Sequence, residues 1–154
     1  MIMKKLRVTK GPIVRNRKIQ REYNKYRNVK PSDKCQFCTI VDEAQEEKLI
    51  QEFPLFWVIT AKFPYHVWDG ARTSQHLLAV PKRHVHSITE FNLAEQLEFV
   101  RVIAEYEGKG YSFYGRAAQN KHKSVPHQHT HLIEIGKEIK SQLYLQRPFI
   151  NIAR

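Results

Sequence analysis

Three alternating histidines near the C-terminal end constrain the structure of this chain more than any other feature. Positions 126–133 read Pro-His-Gln-His-Thr-His-Leu-Ile. Successive side chains of an extended strand face opposite sides, so His127, His129 and His131 share one face, spaced about 7 Å apart. Imidazole titrates near neutral pH and serves as a nucleophile, a proton carrier or a metal ligand. The segment therefore predicts a strand with one face devoted to chemistry or metal binding.

The size and apolar content of the chain indicate the class of protein. Its 154 residues fit one domain, and a hydrophobic fraction of 42% is enough to build a core. Its apolar runs are far shorter than the ~20 residues that span a membrane. No apolar segment of the kind found in secretory signals follows the basic N-terminus. We therefore expect a cytoplasmic protein without a membrane partner.

The positive charge is concentrated at the N-terminus. Of a net charge of +11, residues 1–34 carry +10, because 12 Lys or Arg residues are opposed only by Glu22 and Asp33. Residues 35–154 hold 14 basic and 13 acidic residues and are nearly neutral. Residues 1–34 also lack a sustained apolar period. We predict a basic arm at 1–34, either flexible or ordered by a ligand, and a globular domain at 35–154.

The basic arm has three interpretations. Such a terminus is often a solvated tail, but it also suits contact with a nucleic acid or a ribosome, since Lys and Arg neutralise phosphates and release counterions. Tyr23 and Tyr26 interleave with the charges, and their rings can stack on bases. A mitochondrial transit peptide fits less well, because serine is scarce and the charges are not periodic.

The two cysteines of the chain, Cys35 and Cys38, form a Cys-x-x-Cys motif directly after the arm. Without a secretory signal a structural disulfide is not expected. Half of a zinc site and a redox pair are the two remaining interpretations. A redox pair usually opens a helix after a strand, whereas this motif follows a polar turn, which favours zinc.

The pattern of the domain predicts strands around one main helix. Residues 49–53 and 56–60 form two strands, residues 63–75 a loop, and residues 77–80 a short strand. Asn92 is a good N-cap, Glu95 completes a capping box, and apolar residues at helical spacing continue to Gly108. A strand begins at Tyr111, and the histidine strand follows a polar loop. Residues 143–145 form a final strand or a tail.

Two motifs together resemble the histidine-triad superfamily of nucleotide hydrolases and transferases. One is Val-Pro-Lys-Arg-His at 80–84, and the other is Ser-Val-Pro-His-Gln-His-Thr-His at 124–131. With the upstream cysteines, the resemblance covers residues 35 to about 136 and matches the predicted order of elements. It implies an α+β fold, an antiparallel sheet of about five strands with one main helix. Members are often homodimers that pair through the long helix and a sheet edge.

The resemblance also implies roles for the site residues. The middle histidine, His129, attacks the α-phosphorus of a nucleotide and forms a covalent nucleotidyl-histidine. His131 contacts the phosphate oxygens, and Ser124 forms a hydrogen bond near the leaving group. Asn120 is a candidate for the phosphate loop, but a turn residue is an equally good interpretation. Lys123 stands where the family has an amide donor and offers the phosphate a positive charge.

Zinc-bearing members of the superfamily use two cysteines, the histidine of Pro-Lys-x-His and the first histidine of the triad. The matching residues in this chain are Cys35, Cys38, His84 and His127. Two thiolates and two imidazoles suit tetrahedral Zn²⁺, and four protein ligands make a structural site. His86 competes with His84 as a ligand.

Several positions depart from the family pattern. The residues between the histidines are usually apolar and buried, but here they are Gln128 and Thr130, so we expect a wetter strand or polar partners. The acidic residue that often holds the ribose has no clear equivalent, and Asp69 is a candidate substitute.

The sequence predicts hydrolysis of a nucleotide phosphoanhydride, phosphoramidate or dinucleoside polyphosphate. His131 favours a hydrolase, because nucleotidyl transferases of the superfamily commonly carry glutamine at that position. The alternatives are a nucleotidyl transferase or phosphorylase of the same superfamily, and a non-enzymatic RNA- or ribosome-associated protein.

Overall fold

A computed structural model describes residues 14–28, 35–39 and 49–139, and the backbone of 142–146 and 149–153. The two described α-helices are α1 (Arg17–Asn28) and α2 (Leu93–Gly108). The strands are β1 (Leu49–Glu52), β2 (Phe56–Thr60), β3 (Val67–Trp68), β4 (Ala71–Pro81), β5 (Tyr111–Gly115), β6 (Thr130–Glu138), β7 (Gln142–Gln146) and β8 (Phe149–Ala153). A short 3-10 helix spans Ile88–Glu90. Among the described residues, no helix is long and apolar enough to cross a membrane.

The strands form one main antiparallel sheet. Its order is β1-β2-β4-β6-β5, and β3 pairs with the start of β4. β7 and β8 form a separate two-stranded hairpin. The α+β fold with about five strands is confirmed. β6 lies between β4 and β5, so both of its edges are hydrogen-bonded. The predicted strand through the three histidines begins only at Thr130, so it contains His131, while His127 and His129 lie in the segment before it.

Apolar side chains cover both faces of the sheet, because successive residues of β2 and β4 point to opposite sides. Phe56 and Val58 of β2 face α2, where they join a core cluster with Leu77, Ala79, Val102, Tyr106 and Leu132. Trp57 and Ile59, one residue out of step, face the opposite side with Phe37, Ala61, Leu78 and Val80. Period-two alternation sends neighbouring side chains to opposite faces, so a nearly continuous apolar strand supplies both layers.

The main helix begins as predicted. The Asn92 side chain accepts a hydrogen bond from the Glu95 N–H, and the Glu95 carboxylate accepts one from the Asn92 N–H. The helix packs on the sheet through Val102 and Tyr106. Three other apolar residues of the helix, Leu93, Leu97 and Val100, remain 71%, 55% and 65% exposed. They lie at helical spacing and form an unpartnered apolar face in the described chain.

The loop predicted at 63–75 is partly a β-hairpin. Asp69 and Gly70 both adopt positive φ, at 47° and 76°, and reverse the chain between β3 and β4. Trp68 pairs with Ala71 and Val67 with Arg72. The Asp-Gly dipeptide is a strong hairpin signal. The polar residues around it led to the prediction of a loop. β4 consequently begins at Ala71, six residues before the predicted strand.

The described part of the basic arm is a structural element of the domain. Val14 forms an isolated bridge with Val67, and the Asn16 side chain accepts a hydrogen bond from the Ile19 N–H at the start of α1. Tyr23 and Tyr26 pack on Phe63, with ring centroids 5.5 and 5.2 Å away. Residues 14–28 therefore contact the domain in this structure, and the wider expectation of a flexible or ligand-ordered arm at 1–34 stays a prediction. The boundary at residue 34 lies outside the described residues and stays a prediction.

Candidate active site and metal centre

Four predicted ligands from three parts of the chain meet at one point. Cys35 and Cys38 lie on a turn closed by a bond from the Cys38 N–H to the Cys35 carbonyl, 3.1 Å long. His84 follows the end of β4, and His127 precedes β6. The ligand atoms of all four residues lie within 4.8 Å of one another. The cluster can bind a metal ion.

The distances within the cluster fit a tetrahedral metal shell. Sγ of Cys35 lies 3.4 Å from Nδ1 of His127, and Sγ of Cys38 lies 3.2 Å from Nδ1 of His84 and 3.6 Å from Nδ1 of His127. Bond lengths of about 2.3 Å to sulfur and about 2.05 Å to nitrogen put neighbouring donors about 3.5 Å apart in a tetrahedron. Desolvation and the neighbouring Cys35 raise the pKa of the Cys38 thiol to about 11, which a bound cation would oppose.

The positions of the two rings favour His84 over His86 as the candidate ligand. His84 presents Nδ1 to the cysteines, while its Nε2 lies 3.1 Å from Nε2 of His86. His86 therefore contacts the ring of a candidate ligand and lies outside the cluster. His127 is fully buried, and its Nε2–H donates to the carbonyl of Pro81 at 2.9 Å, which leaves Nδ1 unprotonated for a metal.

His129 has the opposite tautomer. Its Nδ1–H donates to the carbonyl of His127 at 2.9 Å, so Nε2 is the unprotonated nitrogen. Burial lowers the pKa of His129 to about 4. The ring is therefore neutral at pH 7, and its free nitrogen has the lone pair that a nucleophile needs.

A chain of hydrogen bonds sets the tautomer of His131. The Tyr65 N–H donates to Nδ1 of His76 at 3.0 Å. Nε2 of His76 must then carry the proton and donate to Nδ1 of His131, 2.8 Å away. His131 in turn keeps its proton on Nε2, where it is a hydrogen-bond donor. His76, interpreted from the sequence as structural, thus aligns a predicted catalytic residue.

His129 and His131 line a cleft of about 150 Å³. Two further predicted residues, Ser124 and Lys123, line it as well. Asn120 lies in the adjoining turn, where its side-chain oxygen accepts the N–H of His122 at 2.9 Å, and it is not among the cleft residues. Its role in phosphate binding stays a prediction. Asp69 is at the β3–β4 turn, and no acidic side chain of the described residues lines the cleft.

Comparison with known proteins identifies the fold. The structure aligns with a HIT family hydrolase of Clostridium thermocellum at a TM-score of 0.50 and 23% identity, covering 69% of this chain and 93% of that one. A histidine triad protein of Clostridium difficile aligns at 0.50 and 21%, covering 73% and 98%. A HIT family protein of Bacillus anthracis aligns at 0.52 and 20%, covering 69% and 77%. The chain has the histidine-triad fold.

Sequence comparison finds a match that covers only part of the chain. No family model matches the chain. A galactose-1-phosphate uridylyltransferase of Thermotoga maritima is 33% identical over 73 residues, which is 46% of this chain. The match spans only 20% of that transferase. The resemblance predicted from the motifs is confirmed.

The polar residues between the histidines are buried in this version of the histidine-triad fold. Gln128 and Thr130 are 5% and 4% exposed. The Gln128 side-chain oxygen accepts a hydrogen bond from Nζ of Lys123 at 2.9 Å, and Lys123 also donates to the His86 carbonyl at 2.7 Å. Of the two expectations for the segment between the histidines, a polar partner rather than water explains the burial of Gln128, which lies just before β6. The same bonds hold Lys123 at the edge of the cleft.

Sequence reasoning missed several cleft residues. Three come from the arm, and two more come from the histidine-triad domain itself: Arg15, Tyr23, Arg27, Tyr65 and Arg116. The sequence of the arm did indicate a helix, because Ile19, Tyr23 and Tyr26 repeat at helical spacing after Asn16, a good N-cap. Nothing in the local pattern distinguished Tyr65 or Arg116, since tertiary packing brings both to the histidines.

Proposed function

We propose that the protein is an enzyme of the histidine-triad superfamily that hydrolyses a nucleotide at its α-phosphorus through a covalent nucleotidyl-histidine. The observation that carries the proposal is the tautomer of His129, with Nδ1–H bound to a carbonyl and Nε2 unprotonated. The nucleophile is neutral in a cleft that also contains basic side chains. A neutral imidazole beside cations suits attack on an anionic phosphorus centre.

In the first step, the Nε2 lone pair of His129 forms a bond to the α-phosphorus. The bond from phosphorus to the leaving group breaks, and the leaving group departs with the electron pair. The Nδ1–H remains on the carbonyl of His127 and stabilises the positive charge that develops on the ring. The Nε2–H of His131 donates to a non-bridging phosphate oxygen, where negative charge grows.

In the second step, water attacks phosphorus from the side that the leaving group vacated. The phosphorus–nitrogen bond breaks, and its electron pair returns to Nε2 of His129. The attacking water gives up its proton to solvent, and the products are a nucleoside monophosphate and regenerated enzyme. Ser124 forms a hydrogen bond to the leaving group, and Lys123 binds a phosphate oxygen. Asn120, in the turn beside the cleft, would bind phosphate only through its side-chain NH2, because its oxygen accepts the His122 N–H.

We further propose that Cys35, Cys38, His84 and His127 hold a structural Zn²⁺. The four ligands fill a tetrahedral shell and leave no position for substrate. A bound zinc ion would attach residues 35–38 to the segment after β4 and to the segment before β6. The proposal is supported by the donor set and by the tautomer of His127.

Replacement of the nucleophile tests the activity. We expect His129→Gly to lower kcat/KM by at least about a thousandfold on adenosine 5′-phosphoramidate and diadenosine triphosphate. His66→Gln, outside the cleft, is the matched control and should keep wild-type turnover. Base quenching of the wild type, followed by mass spectrometry, should find a nucleotidyl group on His129. Full hydrolysis by His129→Gly would overturn the mechanism.

A nucleotidyl transferase is the second candidate, favoured by the local identity to the uridylyltransferase. It would pass the same intermediate to phosphate or a sugar phosphate instead of water. One sample of the isolated nucleotidyl-enzyme is incubated in buffer alone and another with phosphate or a sugar phosphate, and the rates at which the nucleotidyl group leaves the enzyme are compared. Transfer that outpaces hydrolysis at millimolar acceptor would decide for the transferase. Contact of residues 1–34 with a nucleic acid or ribosome is a separate proposal that neither assay addresses.

A further inference from the structure

The guanidinium group of Arg15, from the arm, lies at the cleft and is held in a fixed position. The Arg15 guanidinium carbon lies 4.0 Å from the ring centroid of Tyr23 on α1 and 4.7 Å from that of Tyr65 in the domain. Its Nε–H donates to the carbonyl of Phe63 at 3.0 Å. Stacking on two rings and a backbone bond fix the side chain before any ligand arrives, which reduces the entropy lost on binding.

A second guanidinium converges on the same tyrosine. Nη2 of Arg116 lies 3.4 Å from the Tyr65 hydroxyl, and the Tyr65 ring centroid is 5.5 Å from that of His131. Arg27, on the exposed side of α1, also lines the cleft. The two arginines held by Tyr65 therefore lie beside a proposed catalytic histidine.

No carboxylate of the described residues pairs with these cations. The ion pairs within the described part of the chain are Lys82–Glu52, Arg83–Glu95 and Lys109–Glu105, all away from the cleft. Burial lowers the pKa of Arg15, and the neighbouring Arg116 adds to this effect. Two close cations without a counterion are costly unless an anionic ligand compensates them.

We propose that Arg15, Arg27 and Arg116 form a subsite for a second phosphate group, the one joined through oxygen to the phosphate that His129 attacks. This inference rests on the proposed function and selects the phosphoanhydride among its substrate classes. When His129 bonds to the α-phosphorus, the bond to the bridging oxygen breaks, and the leaving phosphate takes the electron pair. Guanidinium groups stabilise that added charge through paired N–H donors. An amine leaving group gains no such charge.

The kinetic test compares two substrates that differ in the leaving group. Arg15→Gln and Arg27→Gln should each lower kcat/KM about ten- to hundredfold on diadenosine triphosphate. On adenosine 5′-phosphoramidate, the same variants should lose less than about threefold, because that substrate has no second phosphate. Arg17→Gln and Arg21→Gln, at exposed positions of α1 that do not line the cleft, are the matched controls. Equal losses on both substrates, or none, would overturn the subsite.

A binding test separates the subsite from the catalytic mechanism. Inorganic pyrophosphate should bind the full-length protein at least about tenfold more tightly than inorganic phosphate, and Arg15→Gln or Arg27→Gln should abolish the difference. Calorimetry measures this without turnover, so the subsite is tested even if His129 is not a nucleophile. Arg27 is exposed, which makes its variant informative if Arg15→Gln does not fold. Pyrophosphate bound no better than phosphate would overturn the proposal.

A phosphoanhydride occurs both in small nucleotides and at an adenylylated 5′ end of DNA. Assays with diadenosine triphosphate and with a 5′-adenylylated oligonucleotide distinguish these sources. A hydrolysis rate that falls in Arg15→Gln with either substrate supports the subsite. The substrate that is hydrolysed more rapidly then identifies which source of the phosphoanhydride the cleft fits. Hydrolysis of both at rates independent of Arg15 would contradict it.

Discussion

The ring of Phe37 lies 5.4 Å from the ring of His129, at an interplanar angle of 64°. Phe37 lies between Cys35 and Cys38 and is buried, and its ring also packs edge-on against His127 at 5.7 Å. The turn that carries two candidate metal ligands therefore supports the side of the proposed nucleophile. A side chain held in this way has fewer rotamers available, which preserves the orientation of its reactive nitrogen.

Metal removal should destabilise the fold. At free zinc a thousand times its Kd, binding adds about 4 kcal/mol to the free energy of unfolding, and a chelator removes that contribution. Urea unfolding with and without chelator measures it, and Cys35→Ser should show the lower value in both conditions. One zinc per chain and unchanged stability in Cys35→Ser would refute the assignment.

Replacing Phe37 should show whether its support of the His129 ring is independent of metal binding. Phe37→Ala should lower the free energy of unfolding by about 3 kcal/mol through the cavity it leaves. Phe37→Leu retains most of the bulk, so we expect near-normal zinc content with kcat about tenfold lower and KM unchanged. Zinc analysis and steady-state kinetics on the same preparation provide the readouts. A Phe37→Leu enzyme with wild-type kcat would show that Phe37 only packs.

The Arg83–Glu95 pair should link the metal centre to α2. Arg83 precedes the candidate ligand His84, and Nη2 of Arg83 lies 2.6 Å from the buried carboxylate of Glu95. Glu95→Ala removes this pair and half of the capping box, so we expect a loss of about 1 kcal/mol or more. Denaturant unfolding measures the loss. Glu105→Gln, in an exposed pair with Lys109, is the control and should change stability by less than about 0.5 kcal/mol. Equal effects would contradict the link.

Two buried histidines should make the protein sensitive to acid. Burial lowers the pKa of His76 to about 3 and the pKa of His131 well below its ordinary value, and Arg15 and His129 add to both effects. The unfolded chain takes up protons below pH 6.5 while these folded rings do not, so stability falls as pH drops from 6.5 toward 3. His76 contributes up to about 1.4 kcal/mol per pH unit in that window, and the lowered pKa of His131 acts in the same direction.

The variant His76→Gln checks this pH dependence. Glutamine offers one acceptor to the Tyr65 N–H and one donor to His131, but it takes up no proton in this range. The plot of unfolding free energy against pH should therefore be shallower below pH 6.5 than for the wild type. His66→Gln is the control at a less buried position. An unchanged slope in His76→Gln would mean that His76 is protonated in the folded protein.

The exposed apolar face of α2 makes the predicted homodimer testable. Leu93, Leu97 and Val100 present large apolar side chains to solvent in the described chain. If a second copy covers them, Leu97→Glu should shift the protein to monomers in sedimentation velocity, while Arg101→Glu on the same helix should not. A wild type that sediments as a monomer at high concentration would exclude the dimer.

The sequence determined those features that depend on local pattern. The capping box of α2, the order of the elements and the histidine spacing follow from neighbouring residues, so local rules were sufficient. The four metal ligands were predicted from motifs, and the structure brings their donor atoms together. The Asp-Gly turn was also readable, although the polar residues around it favoured a loop.

Only the tertiary structure decided how distant residues share the site. Arg15 and His131 are far apart in sequence, and they line one cleft because α1 packs on Phe63 and the Val14 bridge holds its start. The tautomers of His129 and His131 depend on a backbone carbonyl and on a backbone N–H relayed by His76, which no side-chain pattern records. Proton position is set by the nearest partner in space, and folding chooses that partner.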